Sequence, residues 1–156
     1  ITRETQLPTR WIDQGATQAK PIARVQTRYF SGLLEVLLAK EVGDRTAWQT
    51  MLKGNGADQD LEHIRQQLMS SCAQGIAGLH LQHGEAAFEL LEDAPETRIS
   101  YPVLSWPEKV KAHNFDKKAV VEGALMGIKG QYLMLDTGVL NMRKFGGYEV
   151  EIKVAA

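Results

Sequence analysis

The sequence predicts an α+β protein: a small sheet with flanking helices, followed by a helical segment and then by a small antiparallel β-meander or barrel. Apolar residues recur at helical spacing in the first two thirds of the chain, and short β-favouring runs separated by turn residues fill the last third. No apolar run approaches the roughly 18 residues of a membrane span. We therefore divide the chain into an α/β part (residues 1–53), an acidic helical connector (54–97) and an antiparallel β unit (98–156).

The first part predicts a short helix, a strand and a second helix. Pro8 can occupy the first turn of a helix because its missing N–H costs nothing there, and Gly15 would end this helix after residue 14. A β-favouring run over residues 21–27 predicts the strand. An apolar helix over residues 31–40 should then pack on that strand.

One carboxylate interrupts the apolar helix. Ser31 is its predicted N-cap, and the next residues are apolar almost all round, so the helix should be largely buried. Glu35 is the exception, and a buried carboxylate needs a partner, a metal or access to water. Glu35 therefore either binds a metal or lies on the one solvated stripe of the helix.

The middle of the chain is acidic, with one Lys or Arg against eight Asp or Glu over residues 54–97. Before it, Asp44 is predicted to cap a helix that ends at residue 53. An amphipathic helix should cover residues 60–72, and Gly75 should interrupt the helical pattern beyond it. Another short helix is predicted over residues 85–92.

The last part predicts a meander. The residues Asp136, Thr137 and Gly138 are a tight hairpin signal between two alternating runs. The predicted strands cover residues 99–104, 120–128, 131–135, 139–143 and 148–154. Alternation assigns much of the core to Leu133, Leu135, Leu140, Met142, Val150 and Ile152.

Composition limits the function only weakly. A net charge of −1 excludes no class of partner, and the single cysteine, Cys72, is typical of a reducing compartment, so we expect a cytoplasmic protein. His63, His80 and His83 lack the cysteines or placed carboxylates of a metal set. The glycine-rich fingerprints of dinucleotide and P-loop sites do not occur.

Two segments resemble a known family. The stretches ITRETQLPTRWIDQGA (residues 1–16) and GIKGQYLMLDTGVLNMRKFGGYEV (127–150) are similar to an uncharacterised bacterial family, domain of unknown function 2797. Its members are longer, with a cysteine-rich, zinc-binding part and a strand pair before the first motif. The resemblance implies zinc only in such an upstream segment, and it implies no activity.

The order of elements in the first part also resembles, more distantly, the GIY-YIG nuclease domain with its first hairpin missing. In that domain an arginine on the first helix stabilises the phosphate and a glutamate on a later helix binds a divalent metal. The resemblance implies these roles for Arg10 and Glu35, with Mg²⁺ or Mn²⁺ at Glu35. Both side chains should then reach one concavity.

Three functions remain open. The first is a metal-dependent phosphodiesterase of DNA or RNA, or an inactive descendant of one, using Arg10 and Glu35. The second is a nucleic-acid-binding module without catalysis, with cations for phosphates and rings for base stacking. The third is a protein-interaction module. The residues predicted to bind nucleic acid are Arg3, Arg10, Trp11, Arg24, Lys129, Tyr132, Arg143, Lys144 and Tyr148.

Overall fold

A computed structural model describes residues 7–43, 47–54 and 56–154 of the chain. Its helices are α1 (Leu7–Asp13), α2 (Arg28–Leu38), α3 (Trp48–Met51) and α4 (Leu61–His83), with 3-10 helices at Glu85–Ala87 and Met142–Phe145. Its strands are β1 (Gln18–Ala19), β2 (Ala23–Val25), β3 (Phe88–Leu90), β4 (Thr97–Arg98), β5 (Leu125–Lys129), β6 (Tyr132–Leu135) and β7 (Gly138–Asn141).

The strands pair antiparallel as β1 with β4, β2 with β3, and β5 with β6 with β7. The predicted α+β class with small antiparallel sheets is therefore confirmed. Of the two alternatives for the last part the meander is right, since none of the sheets in the described ranges closes into a barrel. None of the helices traced in those ranges is both long and apolar enough to cross a bilayer.

The first core lies between α2, α4 and the β2–β3 ribbon. Thr27 starts α2 because its Oγ1 accepts a hydrogen bond from the Phe30 N–H at 3.4 Å. The helix thus begins about one turn before the predicted cap, Ser31. The buried residues of this core are Leu34, Cys72, Ile76, Ala87 and Phe88.

Helix α2 is amphipathic, so the expectation of a largely buried helix was wrong. Leu34 is buried and Leu37 half-buried on the side that faces α4, whereas Val36 is 67% exposed. Glu35 is exposed as well, because α2 packs by one face only. Its exposure fits the solvated-stripe alternative for this carboxylate.

Helix α4 is longer than predicted. Asp60 starts it, since its Oδ1 accepts a hydrogen bond from the His63 N–H at 2.9 Å. The helix then continues through Gly75, where an added Cβ would lie 2.5 Å from the Leu37 Cδ1. Gly75 therefore permits close packing of α2 on α4 and does not interrupt the helix.

The helix predicted over residues 85–92 is absent. One 3-10 turn is followed there by β3, whose Phe88 pairs with Val25 and whose Leu90 pairs with Ala23 of β2. The pairing places Phe88 in the first core, where its side chain is buried. The β2 partner therefore decides the conformation of this segment.

The second core lies under the β5–β6–β7 meander. The predicted hairpin turn is present: Asp136 and Thr137 join β6 to β7, with Leu135 opposite Gly138. Both outer edges of the sheet are covered: the Ile128 N–H bonds the Pro102 carbonyl, and the Val139 N–H bonds the Lys111 carbonyl. The buried residues are Leu52, Tyr132, Met134 and Val139, with Trp48, Met51, Val103 and Val110 packed around them.

Two predicted strands are wrong. Residues 148–154 belong to no strand, because the 3-10 helix Met142–Phe145 turns the chain away and both sheet edges are already occupied. Val150 and Ile152 are accordingly exposed and not core residues. Residues 99–104 contribute only one bridge, Val103 with Gly127. Of the other predicted core residues, Leu140 is buried, and Leu133, Leu135 and Met142 are half-buried.

The end of α1 sits against the meander. Gly15 ends the helix as predicted, with a φ of 73° that suits glycine. The Tyr101 hydroxyl donates to the Ala16 carbonyl at 2.8 Å. At the β5–β6 turn, a Cβ on Gly130 would lie only 2.8 Å from the Asp13 carbonyl oxygen. This close backbone approach joins the first helix to the second core.

Candidate nucleic-acid interface

The structure does not bring Arg10 and Glu35 into contact. Arg10 is half-buried on α1, whose end contacts the β5–β6 turn, whereas Glu35 is exposed on α2, which packs in the first core. Both residues lie in the described ranges, and no ion pair joins them. Those ranges also hold no group of three or more His, Cys, Asp or Glu side chains that could bind a metal. The shared phosphate and metal site remains a prediction from resemblance.

The other predicted residues of the first part are scattered. Arg3 lies outside the described residues. Trp11 is half-buried on α1. Arg24 is exposed on β2, where its Nη1 lies 3.6 Å from the Glu89 carboxylate across the ribbon. An arginine engaged by a carboxylate is less suited to hold a phosphate, so Arg24 is a weaker candidate for phosphate binding than the sequence predicted.

Lys129 is an interior residue. It is 5% exposed, and its ammonium lies 5.5 Å from the ring centre of Tyr101 and 5.1 Å from that of Trp106. The Nζ also donates to the Met51 carbonyl at 3.2 Å. Burial lowers the pKa of this ammonium. The predicted contact of Lys129 with phosphate is therefore not available in this structure.

Tyr132 is also an interior residue. It is buried in the second core, where its ring stacks on Trp48 with centroids 5.6 Å apart and planes 3° from parallel. A ring covered in this way cannot stack on a nucleobase. The β-favouring run over residues 131–135 predicted this strand correctly, but its residues are nearly all apolar and could not tell which face was covered.

We expect Lys129→Met to change the free energy of unfolding at pH 7 by less than about 1.5 kcal/mol, because Met keeps the volume and removes a buried charge. Lys129→Ala should cost more, since it leaves a cavity. As the pH rises toward about 10.4, the unfolded chain holds a proton that the folded one has lost, so this group makes the wild type more stable with rising pH. Between pH 7 and 9.5, urea unfolding should show the stability of wild type rising relative to that of Lys129→Met. An equal rise in both proteins would contradict this account.

Two segments that carry exposed cations lie side by side in the last part. Arg143 and Lys144 lie exposed on the 3-10 helix Met142–Phe145, and the chain turn of residues 114–118 lies beside it. Phe115 in that turn contacts Phe145 at a centroid distance of 4.8 Å, which holds the two segments together. Lys111 lies next to this turn, beside β7. We call the exposed cations of these segments the basic surface: Lys111, Lys117, Lys118, Arg143 and Lys144.

Tyr148 completes the aromatic cluster under this surface. Its ring lies 5.3 Å from that of Phe145 and 6.5 Å from that of Phe115, and it is 50% exposed. Its hydroxyl donates to the Asp116 carboxylate, and this hydrogen bond raises the pKa of Tyr148. The one carboxylate within residues 114–118 is thus engaged by the tyrosine, and half of the tyrosine stays exposed to solvent.

His113 borders the basic surface at the β6–β7 turn. Its Nε2 lies 3.2 Å from the Thr137 Oγ1, whose hydroxyl donates to the Glu122 carbonyl. Thr137 must therefore accept from His113, which assigns the Nε2–H form to the neutral imidazole. Burial lowers the pKa of His113, and so do the charges of Lys111 and Lys118. These two lysines therefore act on the same patch of surface.

The sequence predicted Arg143, Lys144 and Tyr148 as candidate binding residues, but Lys111, Lys117 and Lys118 were not among them. The segment KVKAHNFDKK at residues 109–118 carries four lysines, and this clustering was the available signal. Nothing in the sequence indicated that residues 111–113 lie beside β7, where Ala112 bridges Val139 in parallel.

Comparison with known proteins assigns the chain to a family. The family model described as "Protein of unknown function (DUF2797)" matches residues 1–150, a range that includes the whole basic surface. No curated protein and no solved structure matches the chain. The predicted resemblance to this family is thus confirmed, while the bacterial origin and the likeness to the GIY-YIG domain stay predictions.

Proposed function

Because the match covers residues 1–150, the chain belongs to the DUF2797 family, and we propose that it is a nucleic-acid-binding member of it that uses the basic surface. The observation that carries the proposal is the packing of Phe115, Phe145 and Tyr148, which brings two cationic segments together. Phosphates are bound chiefly by such clusters of Lys and Arg.

The surroundings of the basic surface suit an extended polyanion. Five cations lie on it. Of the carboxylates in and beside these segments, Asp116 is engaged by Tyr148 and Asp136 accepts a hydrogen bond from the Ala124 N–H, while Glu108, Glu122 and Glu149 are exposed. The half-exposed Tyr148 adds an aromatic side chain that could contact a base. Charged side chains define this surface, whereas a protein partner would more often require a continuous apolar patch. For the basic surface we therefore favour nucleic acid over the protein-interaction alternative.

Catalysis stays a secondary candidate. Glu35 is exposed, and Arg10 makes no side-chain hydrogen bond or ion pair with the part of the chain that the structure describes, so both could reach a phosphate. Mg²⁺ or Mn²⁺ would be needed only for cleavage at Glu35. Binding at the basic surface should not depend on Arg10 or Glu35, which separates the two functions experimentally.

We expect Arg143→Gln with Lys144→Gln to weaken binding of a fluorescent oligonucleotide about tenfold or more at about 0.1 M salt. Removal of two phosphate contacts should also reduce the slope of log K against log salt by roughly 1.4 to 1.8. Fluorescence anisotropy with single-stranded and duplex DNA and RNA, over a range of salt, measures both quantities.

The matched control is Lys40→Gln with Lys53→Gln, which removes the same charge from exposed positions outside the basic surface. It should leave affinity and slope nearly unchanged. Equal losses in both double variants would refute a localised site.

Addition of Mg²⁺ or Mn²⁺ to the same mixtures, followed by gel analysis, tests cleavage. Cleavage that Glu35→Ala abolishes would support the phosphodiesterase candidate.

A further inference from the structure

Beyond the 3-10 helix Met142–Phe145 lies an extended segment whose sequence is typical of a strand. Apolar residues Tyr148, Val150, Ile152 and Val154 alternate there with Glu149, Glu151 and Lys153. The Lys153 Nζ lies 3.4 Å from the Glu151 carboxylate, so these charged side chains share one side of the segment. The apolar side chains therefore project from the other side.

Tyr148 packs on Phe145, but the far end of this apolar side, at Ile152 and Val154, is open within the described part of the chain. Ile152 is 71% and Val154 87% exposed, and residues 149–154 make no backbone hydrogen bond with the described residues. The segment cannot extend its own three-stranded sheet, because residues at Pro102 and Lys111 already occupy both outer edges. An alternating, unpaired segment of this kind is a template for strand addition.

We propose that residues 150–154 of two copies of this chain pair as antiparallel strands about a twofold axis at Ile152. In that register Val150 faces Val154, and Ile152 faces its own copy. Glu151 of each copy faces Lys153 of the other, so both charged pairs attract. The segment is thus complementary to itself, as a twofold interface requires.

The charges also select this register over its neighbour. A twofold axis at Glu151 would also keep apolar residues on one side, but it would place the two Glu151 carboxylates opposite each other. A slip by one residue along one strand only would put charged side chains on the apolar side. The axis at Ile152 therefore has the best charge pairing of the registers that keep the apolar face continuous.

The pairing should be weak and concentration-dependent, since a two-stranded ribbon is marginally stable on its own. Sedimentation equilibrium from about 10 µM to about 1 mM should show the weight-average mass of the protein rising toward that of a dimer. Lys153→Glu would place like charges opposite each other at both pairs, and we expect it to weaken dimerisation roughly tenfold. Glu151→Lys should do the same.

The decisive variant is Glu151→Lys with Lys153→Glu, which exchanges the charges and restores both attractive pairs. It should recover wild-type dimerisation. Lys53→Glu is the matched control, because it makes the same charge change at an exposed position outside the segment and should leave the mass unchanged.

Three results would overturn the proposal: a monomer at all concentrations, no recovery in the double exchange, or amide protection of residues 149–154 that is independent of protein concentration. The last result would mean that the segment pairs within one chain. Dimerisation and oligonucleotide binding are measured separately, and Arg143 and Lys144 are unchanged in all of these variants.

Discussion

Leu52→Ala is expected to lower the free energy of unfolding by about 2 to 5 kcal/mol, as other buried leucines do when truncated. Leu52 has no exposed surface and lies in the second core with Tyr132, Met134 and Val139. The substitution would remove the apolar contacts of one side chain and leave a cavity beside the Trp48–Tyr132 stack. The midpoint and slope of urea unfolding measure the loss.

The matched control is Leu81→Ala, the same change at a site on α4 that is 91% exposed. It should alter the free energy of unfolding by no more than about 0.5 kcal/mol, since little apolar surface is involved. A loss below about 0.5 kcal/mol for Leu52→Ala would contradict the placement of residue 52 in the core. Trp48 reports the site directly, because its stack on Tyr132 should loosen in the variant.

Leu52 also shows how far the sequence could predict the fold. It belongs to the part of the chain predicted as a separate α/β unit over residues 1–53, yet it packs under the meander some 80 residues further along the chain. Features set by local chemistry were predictable: Gly15 ends α1, Asp60 starts α4, and Asp136 with Thr137 forms the hairpin turn.

Features that depend on distant partners were not predictable. The pattern of residues 148–154 specifies two faces of a strand but no neighbour, and no neighbour exists for it in the described chain. Residues 88–90 could equally suit a helix until β2 is known to lie beside them. Local alternation predicts which side chains share a face, whereas pairing decides whether a strand forms.

Distant partners also decide which predicted residues of the candidate site are exposed. Arg143 and Lys144 were predicted as hairpin cations that could meet phosphates, and the structure leaves both exposed. Lys129 was wrongly expected on that surface because its burial comes from Tyr101 and Trp106, two residues in the long loop that covers the sheet edge. Trp106 in turn packs flat on the backbone of Gly54, where a Cβ would lie 2.5 Å from the ring.

Gly130→Ala is expected to cost about 2 to 4 kcal/mol, a large loss for the addition of one methyl group. Gly130 has a φ of 57°, which alanine adopts at a cost of about 1 to 2 kcal/mol. Its new Cβ would also lie 2.8 Å from the Asp13 carbonyl oxygen and 2.9 Å from the Gly15 nitrogen. Both are backbone atoms, so no side chain can rotate to relieve the contact, and the end of α1 must move away from the β5–β6 turn.

Hydrogen exchange separates this displacement from general unfolding. The amides of Gln14, Gly15 and Ala16 bond carbonyls within α1 and should lose protection in Gly130→Ala, while the Val139 amide of the meander, which bonds the Lys111 carbonyl, should keep most of its protection. Gly147→Ala is the matched control, because an added Cβ there meets no atom within 4 Å and its φ is not positive. Its stability should stay within about 0.5 kcal/mol of wild type. If Gly130→Ala has wild-type stability, α1 does not rest on the β5–β6 turn. The inferred contact between the first helix and the second core would then be wrong.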